Sequence, residues 1–289
     1  MDYLLHALDS ARYRKDSPGA ASPSDSLSVR PATCKTPESG SEVADAIIIS
    51  DLHLGSENSQ ARLITQFLES LIDQTLRTRR LIINGDVFDS IDFRRLKKTH
   101  WKVLSTLRHL SDKVEVIWTC GNHDGPAEIV SHLLGVEVHE EYIFHSGDRR
   151  IMVLHGHRFD DFIDDHPVLT WIADVAYNTL QKIDRRHYVA RLAKSRSKTF
   201  LHCLEKVEHR STAHARHRHC NVVICGHTHH AVNKCFGDVR YVNSGCWTEL
   251  PATWLAVCDG EVRIHKYHPA ASIKATLMPL EDRALAVAG

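Results

Sequence analysis

Five short apolar runs in this sequence each lead into a turn that carries a potential metal ligand. The runs and the ligands that follow them are Ala46–Ile49 before Asp51, Leu81–Ile83 before Asp86, Val114–Trp118 before Asn122, Arg150–Leu154 before His155, and Asn221–Cys225 before His227 and His229. In open α/β sheets, ligands collect beyond the carboxyl ends of the strands. If each run is a strand, the turns converge, and the sequence predicts one polar site built from five strand ends.

Helical patterns separate the first three of these runs. Apolar residues recur on one face from about Ser59 to Arg77, and a second helical stretch extends from about Phe93 to Leu110. Alternating strands and helices are typical of a layered α/β domain. Further strands are predicted near the C-terminus at Arg240–Asn243, Ala252–Cys258 and Val262–Tyr267.

The predicted domain covers residues 44–268. Residues 1–43 contain a segment rich in Ser, Pro and Ala with almost no large apolar side chains, which predicts a disordered N-terminal extension. Residues 269–289 are predicted to be a C-terminal tail. The net charge of zero selects no class of partner. The eight cysteines form no C-x-x-C pair, and no basic-then-apolar segment follows Met1, so we expect a cytoplasmic protein with reduced thiols.

Two pairs of potential ligands have a spacing of two residues, Asp51 with His53 and His227 with His229. In an extended chain alternate side chains point to the same face, so each pair can reach one ion. The chain has 22 histidines, and histidine is a common metal ligand. Oxygen and imidazole ligands suit Mn2+, Fe or Zn2+, and the absence of thiolates argues against a structural zinc site.

Taken in order, these turns resemble the motifs of the calcineurin-like metallophosphoesterase superfamily. The matching motifs are Asp51-Leu-His53, Gly85-Asp86, Gly121-Asn-His-Asp124, His155-Gly-His157 and Gly226-His-Thr-His229. The resemblance covers roughly residues 46 to 259 and implies a four-layer α/β/β/α sandwich with a helical cap insertion at about 158–219. It also implies two divalent metal ions, expected to be Mn2+. One would be held by Asp51, His53, Asp86 and His229, and the other by Asp86, Asn122, His155 and His227.

Such a pair of ions carries a recognised chemistry. Two ions about 3.5–4 Å apart hold a phosphoryl group and lower the pKa of a bridging water, whose hydroxide attacks phosphorus. His123 is expected to hydrogen-bond a phosphate oxygen or to protonate the leaving group, with Asp124 orienting it. Asp89 is predicted to contact the metal ligands without binding an ion itself. For His157 three roles are open: it orients His155, contacts the substrate or plays no part.

Within the superfamily, the chain looks most like the UDP-2,3-diacylglucosamine diphosphatase group, which cleaves a nucleotide–lipid pyrophosphate. The segments that carry this resemblance are Asp51–Gly55, Gly85–Asp89, His155–Asp160 and Tyr241–Trp247. Well-studied members have Arg where His123 stands, and Asp where His157 and Cys246 stand. The predicted substrate is therefore a phosphodiester or pyrophosphate, which a nucleotide or lipid carries.

The predicted cap is strongly basic. Residues 181–219 hold eleven Lys or Arg and three acidic residues. Such a surface would attract an anionic substrate, or contact anionic headgroups at the inner face of a membrane, although a solvated helical face is the plain alternative. Residues His214–Cys220 are predicted to form an exposed loop.

Two other functions are compatible with the same core. A nuclease or cyclic-nucleotide phosphodiesterase would favour aromatic side chains among the basic groups for base stacking, and residues 181–219 offer only Tyr188 and Phe200. A non-catalytic scaffold of this fold would typically lose metal ligands, whereas this sequence keeps the full set. The sequence contains no strong signal for nucleic-acid binding.

Overall fold

The computed structural model describes residues 43–125, 131, 135–160 and 198–267. The predicted N-terminal extension, the C-terminal tail and most of the cap therefore lie outside the described residues. The strands are β1 (Ala46–Ile49), β2 (Arg80–Asn84), β3 (Glu115–Thr119), β4 (Glu137–His139), β5 (Tyr142–Ser146), β6 (Arg149–Val153), β7 (Val222–Cys225), β8 (Val232–Phe236), β9 (Val239–Asn243), β10 (Thr253–Cys258) and β11 (Glu261–Lys266). The helices are α1 (Ala61–Ile72), α2 (Lys98–Ser111) and α3 (Lys198–His217), with short 3-10 turns at Phe93–Arg95 and His157–Phe159.

These strands form two sheets. The first has the order β11-β10-β1-β2-β3-β4, and the second has the order β5-β6-β7-β9-β8. Strands β1 to β4 are parallel to one another, as are β6, β7 and β9. The five predicted ligand-bearing runs correspond to β1, β2, β3, β6 and β7, which are parallel neighbours within their sheets. Their carboxyl ends therefore lie at one edge of each sheet.

Buried side chains fill the space between the two sheets and on both outer faces. Ile48 and Ile82 of the first sheet pack with Val153 and Ile224 of the second in one core cluster. Alternate residues of the same strands point the other way, so that Ile47 joins the cluster that includes residues of α1 and α2. Strands covered on both faces read as continuous apolar runs, which is why they could be recognised in the sequence.

Helix α3 covers the outer face of the second sheet. Its Ala215 is fully buried in a cluster with Met152, Val223 and Tyr241. The layers are thus helices, sheet, sheet and helix, and the predicted four-layer α/β/β/α architecture is confirmed. This part of the predicted cap segment forms a layer of the sandwich. No helix within the described ranges is long and apolar enough to cross a membrane.

Three helix predictions differ from the structure. The second helix was predicted to begin near Phe93, but Phe93–Arg95 form a separate 3-10 turn and α2 begins at Lys98. The first helix ends at Ile72, not near Arg77, and Gln74 just beyond it has a φ of 64°, which a continuing right-handed helix excludes. The predicted exposed loop over His214–Cys220 is wrong, because α3 continues to His217 and the Cys220 amide then donates to the Ala215 carbonyl.

Candidate metal centre

The loops that follow the ligand-bearing strands are hydrogen-bonded to one another. The amides of Asp51 and His53 donate to the carbonyls of Gly85 and Asp86 at 3.1 and 3.0 Å. In the second sheet the Gly226 amide donates to the His155 carbonyl at 3.1 Å. These bonds fix neighbouring strand ends relative to each other, so the side chains they carry are positioned by backbone rather than by flexible loops.

Backbone strain is concentrated in these loops. Eight residues other than glycine have positive φ in the described part of the chain, and five of them are predicted ligands: Asp51, His53, Asp86, His227 and His229. Positive φ is uncommon for residues with a Cβ and costs on the order of 1 kcal/mol or more. Strain that collects at one group of polar side chains indicates a functional site.

Two glycines allow the loops to approach closely. A Cβ on Gly85 would lie 2.3 Å from Nδ1 of His155, and one on Gly121 would lie 2.2 Å from Oδ1 of Asp86. Any side chain at either position would displace a predicted ligand. The glycines of these motifs are therefore required by the packing of the site itself.

The first group of potential ligands consists of Asp51, His53 and His229. The His229 Nε2 atom lies 3.1 Å from Oδ1 of Asp51 and 3.1 Å from Nε2 of His53. Donor atoms that each lie about 2.1 Å from one ion are separated by about 3 Å or slightly more. The spacing of this group therefore suits a single bound cation.

The second group consists of Asp86, His155 and His227. Nε2 of His155 lies 3.2 Å from Oδ2 of Asp86. Nδ1 of His155 lies 2.9 Å from the Asn84 carbonyl oxygen, which can only accept, so Nδ1 carries the proton. Nε2 is buried and forms no well-aligned hydrogen bond with any residue that the structure describes. An imidazole nitrogen that faces a buried carboxylate at this distance needs positive charge beside it, from a proton on Nε2 or from a metal ion, and its position suits a metal ligand.

Burial and charge shift the pKa values of several groups in this site. Burial lowers the pKa of His53 to about 4 although Asp86 opposes the shift, which leaves a neutral ring with a lone pair for a metal. Burial also disfavours the charged form of Asp86, but His155 and His53 hold its pKa well below the ordinary value. Two buried carboxylates, Asp51 and Asp86, thus require positive charge, which divalent ions would supply.

Asp86 belongs to both halves of the site. Its Oδ2 atom lies 3.7 Å from Nε2 of His53 as well as 3.2 Å from Nε2 of His155. Asn122 is exposed. Both of its neighbours are hydrogen-bonded to buried carboxylates, since Gly121 donates its amide to Asp124 and His123 donates its amide to Asp86. The loop that carries Asn122 thus lies along the second group.

His123 lies beside the first group, with its ring centroid 5.1 Å from that of His53. Its Nδ1 is 3.0 Å from the carbonyl oxygen of Asp89, so Nδ1 is the donor and Nε2 is directed elsewhere. The prediction that Asp124 orients His123 is wrong. Both Asp124 carboxylate oxygens accept N–H groups from other residues, among them the amides of Asp86, Val87 and Gly121.

Asp89 and His157 border the site. Oδ1 of Asp89 lies 3.8 Å from Nδ1 of His53, and its Oδ2 lies 2.6 Å from Arg95. The half-buried His157 ring lies 5.5 Å from that of His155, and its buried Nδ1 has no hydrogen-bond partner within the described ranges of the chain. Burial, with His155 and His227 nearby, lowers the pKa of His157 to about 4.

Two residues of this region carry no role in the sequence-based predictions. Oδ2 of Asp160 lies 3.1 Å from Nε2 of His227, and His229 lowers the pKa of the Cys246 thiol, which burial alone would raise. Cys246 is buried, and Thr248 Oγ1 lies 3.3 Å from its sulfur. Both residues belong to segments that carry the resemblance to the diphosphatase group, and that membership was the signal that could have identified them.

Comparison with known families gives one match across this site. A family model described as calcineurin-like phosphoesterase matches residues 46–231, which include all seven predicted ligands. No curated protein sequence matches the chain.

The solved structures that match this chain have low sequence identity to it. An archaeal phosphodiesterase is 17% identical, with a TM-score of 0.43 over 77% of this chain and 99% of its own. The phosphoesterase Yfce from E. coli is also 17% identical, with a TM-score of 0.42 over 73% of this chain and 86% of its own. Vps29 from Entamoeba histolytica in complex with Zn2+ is 15% identical, with a TM-score of 0.37 over 77% of this chain and 97% of its own. TM-scores below 0.5 do not establish a shared fold, so the fold of this chain is assigned from the family match and the strand topology.

Proposed function

Because the chain belongs to the calcineurin-like phosphoesterase family and is a metal-dependent phosphoesterase, we propose that it hydrolyses a phosphodiester or pyrophosphate bond with two divalent metal ions. The observation that carries this proposal is the shared position of Asp86 between His53 and His155. A carboxylate in that position can bridge two ions, as the ligand sets implied by the family require.

The residues present suit this role. Two divalent ions would supply Lewis-acid stabilisation of the phosphoryl oxygens and an acidified water as nucleophile. The chain holds the ligand atoms in place: the Asn84 carbonyl fixes the ring of His155, and the Asp51 carboxylate accepts the amide of His227 at 3.1 Å. Mn2+ is the proposed native metal, and Fe or Zn2+ suits the same oxygen and imidazole donors.

His123 is the proposed catalytic acid or phosphate ligand. Its Nδ1 is anchored on the Asp89 carbonyl, which directs Nε2 away from that carbonyl and holds the ring against His53. A protonated Nε2 could donate to a phosphoryl oxygen or to the leaving oxygen. The anchoring group is the backbone of Asp89, and this removes any need for Asp124 as the orienting group.

A nucleotide- or lipid-linked pyrophosphate such as UDP-2,3-diacylglucosamine is the proposed substrate class. The segment Tyr241–Trp247, which resembles the corresponding segment of that diphosphatase group, lies against the ligands: the Trp247 amide donates to the Asp51 carbonyl, and His229 lowers the pKa of Cys246. His123, His157 and Cys246 differ from the well-studied members, so a related pyrophosphate or phosphodiester is the expected substrate.

The proposal is tested by assaying the full chain with Mn2+ against bis-p-nitrophenyl phosphate, beside Asp86→Ala and the exposed control Asp238→Asn. Turnover that needs metal, survives in the control and is lost with Asp86→Ala is the expected result. UDP-2,3-diacylglucosamine, single-stranded DNA and a cyclic nucleotide then identify the substrate class. A chain that binds no divalent metal, or binds two ions and hydrolyses none of these substrates, would contradict the proposal.

A further inference from the structure

Large hydrophobic side chains are exposed mainly in one segment. In the described part of the chain five of them are exposed, and three of these lie between positions 91 and 101: Ile91 at 61%, Phe93 at 40% and Trp101 at 48%. Single exposed apolar residues are ordinary, but three of the five lie within eleven residues along the chain, which makes this segment a candidate interaction surface. We name Ile91, Phe93, Trp101 and the basic residues among them the 91–101 surface.

The fold holds this surface in a defined shape. The Phe93 ring packs edge-on against buried Phe88, with ring centroids 5.2 Å apart. Asp92 caps the 3-10 turn by accepting the Arg94 amide, and Arg95 is paired with Asp89 at 2.6 Å. Ile91 is thereby presented to solvent by an ordered turn, so little conformational entropy is lost when the surface binds.

Charge identifies the kind of partner. Residues 91–102 contain five basic side chains and one acidic side chain, Asp92. The basic residues are Arg94, Arg95, Lys97, Lys98 and Lys102. Arg94 is paired with Asp92, Arg95 with Asp89 and Lys102 with Glu69, so the net positive charge of the surface comes from Lys97 and Lys98. Basic groups interleaved with Trp, Phe and Ile are typical of segments that lie at the surface of an anionic bilayer, where the apolar groups enter the headgroup boundary. Each basic residue near such a surface contributes on its own to the attraction.

The surface begins at the rim of the metal centre. Ile91 lies against Gly125, since a Cβ on that glycine would be 2.1 Å from Ile91 Cγ2. Gly125 is two residues beyond His123, whose Nδ1 is bonded to the Asp89 carbonyl two residues before Ile91. A bilayer in contact with the 91–101 surface would therefore lie next to the opening of the site.

We infer that the 91–101 surface docks the protein on anionic lipid bilayers and brings the metal centre to the lipid headgroups. The inference does not depend on the basic stretch at 181–219, of which residues 181–197 lie outside the described residues. It is also independent of the proposed hydrolysis, because lipid binding can be measured without turnover.

The test is co-sedimentation of the full chain with vesicles of phosphatidylcholine alone or mixed with phosphatidylglycerol. The variants are Ile91→Ser/Trp101→Ser, which removes exposed apolar groups, and Lys97→Glu/Lys98→Glu, which reverses charge. The second pair leaves the helix intact, since acidic residues at the start of α2 favour its dipole. Leu201→Ser is the matched control, because Leu201 is 44% exposed on α3. Circular dichroism melting checks that each variant is folded.

Binding to the anionic vesicles but not to phosphatidylcholine alone is expected, with a loss of about tenfold or more in each double variant and none in the control. Failure of the native chain to bind anionic vesicles would overturn the inference, as would double variants that bind like the native chain. Loss of a dimer instead of lipid binding in Ile91→Ser/Trp101→Ser, measured by analytical ultracentrifugation, would assign the surface to a second copy.

Discussion

Asp124 organises the backbone around the metal centre, although its carboxylate contacts the backbone amide and not the side chain of the predicted ligand Asp86. Its carboxylate accepts the amides of Asp86, Val87, Phe88 and Gly121 and the indole N–H of Trp118. Five donors on one buried carboxylate join the loop after β2 to the loop after β3. They hold Asp86 in its strained, positive-φ conformation, because the amide of Asp86 itself is one of the donors.

This arrangement predicts that Asp124→Asn destabilises the fold. An amide group would turn an NH2 toward N–H groups that now point at oxygen, leaving buried donors unsatisfied, at a cost of about 3 kcal/mol in unfolding free energy. Urea denaturation measures this cost. Asp238→Asn, an exposed partner of Arg216, is the matched control and should lower stability by about 1 kcal/mol or less. Unchanged stability together with a displaced pH–rate profile would restore Asp124 as the group that orients His123.

His123 gives a prediction on chemistry rather than on stability. If Nε2 protonates the leaving oxygen, His123→Gln should lower kcat by a factor of about 100 or more for an alkyl leaving group. The loss should be much smaller for p-nitrophenolate, which leaves without a proton. Bound metal, measured by elemental analysis, should stay as in the native chain. Equal losses with both leaving groups would assign His123 to a phosphoryl oxygen.

At the scale of secondary-structure elements, Glu141 forms ion pairs with three basic residues on α3 and on the two segments next to it. Its carboxylate lies 2.8 Å from Arg158 in the 3-10 turn after His155, 2.7 Å from His214 on α3, and 2.9 Å from Arg218 just beyond α3. The residue itself lies between β4 and β5. These contacts fix α3 against the turn that carries His157 and leads to Asp160.

Removing this charge should loosen α3 without removing metal ligands. Glu141→Gln is expected to lower stability by about 1–2 kcal/mol and to speed hydrogen exchange in residues 201–217 and 157–159. Burial raises the pKa of Glu141, but His214 and Arg158 lower it below the ordinary 4.5. A carboxyl whose folded-state pKa is depressed contributes stability above about pH 4.5 and loses it as pH falls through the folded value.

The matched control for that prediction is Glu137→Gln, because Glu137 also pairs with a histidine but its side chain is 72% exposed. Exchange in α3 should be unaffected by this change. If Glu141→Gln left exchange in α3 and the stability near neutral pH unaltered, the three contacts would have no role in docking the helix.

Elements could be predicted from sequence where both faces are covered. Strands β1, β2, β3, β6 and β7 read as apolar runs, and they carry the predicted ligands. The edge strand β8 was not predicted, since three of its five residues are exposed and it has no apolar run. The end of α3 was predicted to be an exposed loop at His214–Cys220 because the buried residues near there, such as Ser211, Thr212 and Ala215, are small or polar and produce no amphipathic pattern. Contacts such as Asp160 with His227 depend on the path of a turn, which spacing does not define.

At the scale of the whole molecule, the candidate metal centre joins the two sheets. Asp51, His53 and Asp86 follow strands of the first sheet, whereas His155, His227 and His229 follow strands of the second. Two of the three potential ligand groups, Asp51 with His53 and His229 and Asp86 with His155 and His227, combine residues from both sheets, whereas His53, Asp86 and His123 all follow strands of the first sheet. An ion bound by either of the first two groups would therefore link the two halves of the sandwich at one edge, in addition to the apolar contacts between their faces.

Metal removal should accordingly destabilise the entire domain. An ion present at about 100 times its Kd stabilises the folded state by about 2.7 kcal/mol, which in a domain of this size corresponds to about 5–10 °C in Tm. Chelation with EDTA should lower the calorimetric Tm by that amount, and Mn2+ should restore it. Asp86→Ala should already melt lower and should respond little to EDTA, whereas the exposed control Asp238→Asn should respond like the native chain. If EDTA removed all bound metal without changing Tm, the ions would not link the sheets, and protons on His155 and His229 would have to balance the buried carboxylates. Burial lowers the pKa of both rings. Asp86 nevertheless raises the pKa of His155 to about 9, and Cys246 with Asp51 raises that of His229 to about 10.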